Sequence, residues 1–194
     1  MAWAAVAAAV AIAAAIWFGS SPLGDRDSKP LLPVPGIGGP FAMTDHTGKT
    51  FTEANLGGRP TLMFFGFTSC PDICPTTLTN ISGWLKEFGD DANKINPIFV
   101  TVDPERDTPG VLKDYLTSFD DRIVGLTGTP EQLAAMAKAY RFLYAKVDGK
   151  DGDYTMDHTA TVYLLDGQAR FVMTIDYHEV PSNAAAKLRR LLNL

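Results

Sequence analysis

No cluster of lysine and arginine occurs anywhere in these 194 residues, and the formal net charge is −5. A chain without concentrated positive charge is not built to hold a phosphate backbone, which excludes nucleic acid as a partner. Histidine is scarce at three residues and cysteine scarcer at two. So few cysteines exclude a disulfide scaffold and leave no distant thiol to resolve an oxidised one. Internal repeats are missing as well. What remains is the composition of an ordinary globular chain, 46% hydrophobic and 20% charged.

Charge is also absent from the first eighteen residues, MAWAAVAAAVAIAAAIWF. As a helix rising ~1.5 Å per residue they would reach ~27 Å, enough to cross a bilayer core. Trp3, Trp17 and Phe18 fall where interfacial aromatics belong. Residues 1–18 therefore read as a transmembrane anchor, with a cleaved signal peptide as the alternative. No Lys or Arg precedes the stretch, so charge does not set its orientation. Residues 19–40 hold five prolines and five glycines, which suits a semi-extended tether. Residues 41–194 are long enough to bury one core.

In that domain short apolar runs alternate with amphipathic ones. TLMFFGF (61–67) and NPIFVTV (96–102) are almost continuously hydrophobic, as strands covered on both faces are. Between them Leu78, Ile81, Leu85 and Phe88 recur at helical spacing, which predicts a β-α-β crossover. Thr108 and Thr129 each precede a proline and a helical pattern, as cap and first residue. RFLYAKV, TATVYLLD and RFVMTID read as strands, the last two joined over Asp166–Gly167 as a hairpin. A last helix is expected after a cap at Ser182 or Asn183. The order β-α-β-α-β-α-β-β-α is an α/β sandwich with an antiparallel second half.

Both cysteines lie in FTSCPDICPTTL, and each precedes a proline. A residue before proline is pushed out of the helical region, so Cys74 is expected just ahead of the helix with Pro75 as its first residue. Cys70 then lies in the loop leaving the strand. Both sulfurs would stand at the positive end of a helix, where a thiolate is favoured and the thiol pKa falls. The carboxyl end of a parallel strand is the usual place for chemistry in such sheets. Three residues between the cysteines, rather than two, allow the loop to close to a disulfide or to open around an ion. Two packed, inert thiols are the bland reading.

A two-sulfur site needs a further ligand, and three histidines are on offer. His46, in TDHTGKT, is expected in a solvated turn, and His178, in DYHEVPS, at the surface. His158, in MDHTATVYLLD, is placed at the start of an apolar strand and is the candidate. Asp157 beside it either orients the ring or is merely exposed. Two thiolates and an imidazole form a soft to borderline set that suits Cu(I) or Cu(II); zinc in a structural site would want a fourth protein ligand, and none is evident.

With GPFAMTDHTGKTF, FFGFTSCPDICPTTL, TVDPERDTP and MDHTATVYLLD in this order, the chain from about Gly39 onward resembles the Sco/SenC family. These are thioredoxin-fold copper proteins tied to cytochrome c oxidase assembly. The resemblance implies a thioredoxin-like α/β sandwich with a mixed central sheet, preceded by the N-terminal transmembrane helix. It implies that Cys70, Cys74 and His158 are the copper ligands. It implies a metallochaperone that delivers copper to the CuA site of cytochrome c oxidase subunit II, or a reductant of that site's cysteines. A copper donor and a thiol reductant would be further partners. The expected location is a bacterial inner membrane with the domain in the periplasm; the alternative is the mitochondrial inner membrane, facing the intermembrane space.

Two other classes compete. A thiol–disulfide oxidoreductase would use Cys70 and Cys74 as a redox pair and would not need a distant imidazole. A peroxiredoxin-like peroxidase fits poorly, because Thr68 stands two residues before Cys70 and not the three of that family's pattern. In TVDPERDTP, Asp103 and Arg106 are expected to pair and brace the loop after a strand.

Overall fold

Thr61–Gly66 (β3) and Asn96–Thr101 (β4) are buried at every position, so both faces of the sheet they form are covered. The computed structural model describes residues 31–149 and 152–194. The stretch 1–18, expected as a membrane anchor, and residues 19–30 of the expected tether lie outside them. Among the described residues no helix is long and apolar enough to cross a membrane. Leu31–Leu194 form one compact unit. Within it the chain is already tied to the domain at Val34, whose N–H donates to the Phe171 carbonyl at 2.8 Å, and at Gly38, bonded to Ala139 at 2.9 Å.

β3 and β4 pair in parallel with Phe64 opposite Phe99, and the connection between them is helix α1, Ile73–Glu87. Its buried residues Cys74, Thr77, Leu78, Ile81 and Leu85 recur every three or four positions, as an inward stripe requires. Phe88, expected on that stripe, is half-buried just past the helix end. Helix α2 (Pro109–Leu116) starts as its sequence predicts, with the Thr108 hydroxyl accepting the Val111 N–H at 3.3 Å. β5 (Val124–Thr127) lies parallel to β4, and α3 (Pro130–Tyr140) follows with a reciprocal cap between Thr129 and Gln132.

The remaining strands turn antiparallel. β8 (Val162–Leu165) pairs with β3, and β9 (Phe171–Ile175) pairs with β8 across the turn that begins at Asp166. On the other side a short hairpin, β1 (Ala42–Asp45) and β2 (Thr50–Thr52), extends the sheet through β5. The seven strands run β2-β1-β5-β4-β3-β8-β9, a mixed sheet. Helix α4 (Pro181–Leu192) closes the chain. Its cap is Val180 rather than Ser182 or Asn183, because Pro181, with its fixed φ, takes the first helical position.

Two larger features of the topology also depart from the sequence expectation. The hairpin β1–β2 was not expected; it brackets the turn at His46. More consequential is a separate ribbon of β6 (Tyr144–Asp148) and β7 (Tyr154–His158), paired only with each other. His158 is thus the last residue of a ribbon strand and not the first of the apolar strand that follows. Short, polar and half-exposed, β7 offers the alternation of only three inward residues, Tyr154, Met156 and His158, too little to stand out as a strand.

Candidate metal centre

β3 ends at Gly66, and the chain leaves it through Phe67 and Thr68 into the cysteine loop. Cys70 N–H donates to the Phe67 carbonyl at 3.3 Å, which turns the loop back toward α1. The helix begins at Ile73, one residue before Cys74, rather than at Pro75 as expected. Pro75 tolerates this because the first amides of a helix have no intrahelical acceptor, so its missing N–H costs nothing there. Cys74 N–H donates to Cys70 Sγ at 3.4 Å, a sulfur accepting at the helix start.

His158 comes from the ribbon on the far side. Its Nε2 lies 3.4 Å from Cys74 Sγ. Its Nδ1 is 3.1 Å from the Thr159 carbonyl. A carbonyl can only accept, so Nδ1 carries the proton and Nε2 turns its lone pair to the sulfur. Thr159, not Asp157, therefore orients the ring; Asp157 is exposed and acts on it only through its charge. The ring edge meets Phe64 and Phe67, centroids 6.1 and 5.8 Å away. Burial lowers the His158 pKa, which favours the neutral, ligating form.

Among the described residues, Cys70, Cys74 and His158 form a group whose donor atoms all lie within 4.8 Å of one another. Sulfur and nitrogen bind a common ion at ~2.3 and ~2.0 Å, so this spacing can converge on one cation. Both cysteines are free thiols. Helix polarity was expected to favour a thiolate, but for Cys74 burial wins and pushes the thiol pKa up. A cation entering the site must therefore displace the Cys74 proton.

The other two histidines stand elsewhere. His178 is exposed, as expected, with its ring against Tyr177. His46 is half-buried rather than solvated, and its Nδ1 accepts the Gly125 N–H at 3.0 Å, joining the β1–β2 turn to β5.

Three supporting residues escaped the sequence reading. Gly66 is one: a Cβ there would lie 2.7 Å from Cys74 Sγ, so only glycine lets the sulfur sit against β3. Asp107 is fully buried and accepts from the Thr68 N–H at 2.9 Å, the Thr68 hydroxyl and the Thr101 hydroxyl at 2.6 Å. It pins the start of the cysteine loop to β4, and burial raises its pKa. Thr159 is the third. A carboxylate beside a proline-rich loop gives no sequence signal of burial, whereas the glycine in FFGF was a visible break in an apolar strand. The expected pair of Asp103 and Arg106 does form.

A family model described as SCO1/SenC matches residues 31–193. The mitochondrial protein SCO2 of Saccharomyces cerevisiae is 42% identical over 156 residues, 79% of this chain and 52% of that protein. The chain thus spans about half the length of that relative. Among solved structures, Bradyrhizobium japonicum ScoI with copper bound is 53% identical, covering 80% of this chain and 99% of that one with a TM-score of 0.75. Yeast Sco1 with copper bound is 37% identical, covering 79% and 87%, with a TM-score of 0.73.

Proposed function

The chain belongs to the SCO1/SenC family, and from that premise we propose that it is a copper metallochaperone whose ligands are Cys70, Cys74 and His158. The observation that carries this is the convergence of two sulfurs from one loop and a neutral imidazole from a segment 84 residues on. Inert core thiols have no reason to draw a ring nitrogen to 3.4 Å, and the donor set matches copper's preference for thiolate and imidazole. Relatives solved with copper bound support the choice of metal.

On this reading copper is cargo. Cys70 and Cys74 hold it through the rigid end of β3 and α1, and His158 is the ligand that can yield to an incoming one. The acceptor is the CuA site of cytochrome c oxidase subunit II, as the family resemblance implies. Residues 1–18 anchor the domain to a membrane through the part of the 19–40 stretch that precedes Leu31, with the domain in the periplasm. Purified reduced protein should bind about one copper per chain, as the single ligand set implies. Metal analysis after dialysis of the Cys70→Ala/Cys74→Ala variant tests it, and unchanged copper affinity would end the reading.

A second reading is favoured by one contact, the Cys74 N–H to Cys70 Sγ hydrogen bond, which holds one sulfur at the helix start beside the other. On it the pair reduces the CuA cysteines by thiol–disulfide exchange. His158→Ala separates the two: loss of CuA loading with disulfide exchange intact identifies metal delivery, and the converse identifies the reductase.

A further inference from the structure

The ribbon that supplies His158 makes no ladder with the seven-stranded sheet, so side chains must hold it in place. Tyr154, Met156 and His158 share its inner face, with Thr155 and Asp157 exposed between them. Met156 is buried, while Tyr154 meets the loop after β4. Its hydroxyl donates to Asp103 Oδ1 at 2.9 Å. The other oxygen of that buried carboxylate accepts from Arg106 Nε. Arg106 reaches back, donating from Nη1 to the Tyr154 carbonyl at 3.0 Å.

The guanidinium also stacks 3.8 Å above the Tyr154 ring. It also lies 5.9 Å from the ring of Phe67, which makes an edge contact with the His158 ring. Lys146, from β6, sits 3.8 Å from the Tyr154 ring and pairs with Glu105 at 2.9 Å. The contacts of Tyr154 with Asp103 and Arg106, and of Lys146 with Glu105, join the ribbon to TVDPERDTP, a motif whose chemistry the copper ligands leave unused.

We propose that Arg106 and Tyr154 form a latch that positions His158 as the third ligand. Closed, it presents two sulfurs and an imidazole; open, it leaves the sulfurs alone. The inference rests on the reading of this cluster as a copper site. Cu(I) is satisfied by soft thiolates, while Cu(II) also draws on imidazole. The latch therefore sets the preference of the site between the two oxidation states without touching the metal.

The test compares Arg106→Ala and Tyr154→Phe with wild type and with His158→Ala, in the full chain. Cu(II) is followed by nitrogen hyperfine structure in the electron paramagnetic resonance spectrum and by the sulfur-to-copper charge-transfer band. Cu(I) affinity is followed by competition with a chelator. Arg106→Ala should lose about tenfold in Cu(II) affinity and shift its spectrum toward that of His158→Ala. That is the low end of the loss when a direct partner of a ligand is removed, since Arg106 reaches His158 only through Tyr154 and Phe67. Its Cu(I) affinity should stay within about threefold of wild type, since both thiolates remain. Tyr154→Phe removes a single hydroxyl and should fall between, which keeps the test open should the arginine variant fold poorly.

Equal losses of both oxidation states together with a lower melting temperature would mark Arg106 as a general brace and overturn the latch. So would wild-type Cu(II) spectra in both variants. An unchanged spectrum in His158→Ala would instead overturn the copper-ligand reading itself, so the two failures are distinguishable.

Discussion

β3 is buried at all six of its positions, whereas β6 is exposed at four of five. The first delivers the two sulfurs through the turn at its carboxyl end; the second pairs with the strand that delivers the imidazole. A change beside the buried Cys74 sulfur meets close-packed neighbours, because interiors are as dense as organic crystals. A change in the ribbon meets water and a handful of ionic and aromatic contacts. One site is thus assembled from a rigid half and a tethered half. On the proposed copper reading, ligands that must hold and a ligand that must let go place different demands on their supports, and the two halves differ accordingly.

The sharpest way to break the comparison is Gly66→Ala. The added carbon would meet Cys74 Sγ at 2.7 Å, Phe99 at 2.9 Å and Phe64 at 3.1 Å, and all three are fully buried. Overpacking of this kind costs about 3 kcal/mol. Urea unfolding should show that loss, and metal analysis should show a drop in copper of both oxidation states, unlike the ribbon variants. A variant as stable as wild type would mean that the sulfur can retreat and that this half of the site is not rigid.

Asp107→Ala should have the next largest effect. It orphans the Thr68 N–H and two hydroxyls around a fully buried position, at about 2–3 kcal/mol. Faster hydrogen exchange confined to the cysteine loop, with the ribbon unaffected, would confirm that the two halves are braced independently. Matching exchange in the ribbon would merge them.

The smallest effect belongs to a control away from both, the bidentate pair of Arg122 with Asp120, at 2.7 Å on each oxygen. The Arg122 hydrogen bonds hold the Asp120 pKa below its ordinary value. A carboxyl depressed on folding stabilises fully above its unfolded pKa, near ~3.9, and loses that contribution as pH falls through the lower folded value. Asp120→Asn should therefore cost about 1 kcal/mol or less at neutral pH, given partial exposure of the pair, with the difference shrinking below about pH 4. Thermal melts across that range check the sign. Copper binding should not change.

Much of this molecule was legible from local patterns. The two Thr-Pro helix starts, the β8–β9 hairpin and the stripe on α1 each follow from residues within one or two turns of one another. The placement of Cys70 and Cys74 at the end of β3 was legible for the same reason. The start of α1 was misjudged by two residues, because the proline after Cys74 restrains it without forbidding a helix that has already begun. Of the ribbon, β6 was legible within RFLYAKV, while β7 escaped because it is too short and polar to show a period. Asp107 escaped because nothing in a carboxylate's neighbours along the chain tells whether it will be buried.

The sequence by itself determined the ingredients: two thiols in one loop at a strand's end, a helix behind them, and one histidine set apart from the rest. It did so because propensity, capping and hydrophobic period are properties of neighbouring residues. Tertiary structure alone decided that the histidine's Nε2 faces Cys74 across 84 residues of chain, that burial pushes the Cys74 thiol pKa up, and that Arg106 clasps Tyr154. Those outcomes depend on burial and on contacts between distant segments, and both exist only once the sheet, the helix and the ribbon have come together.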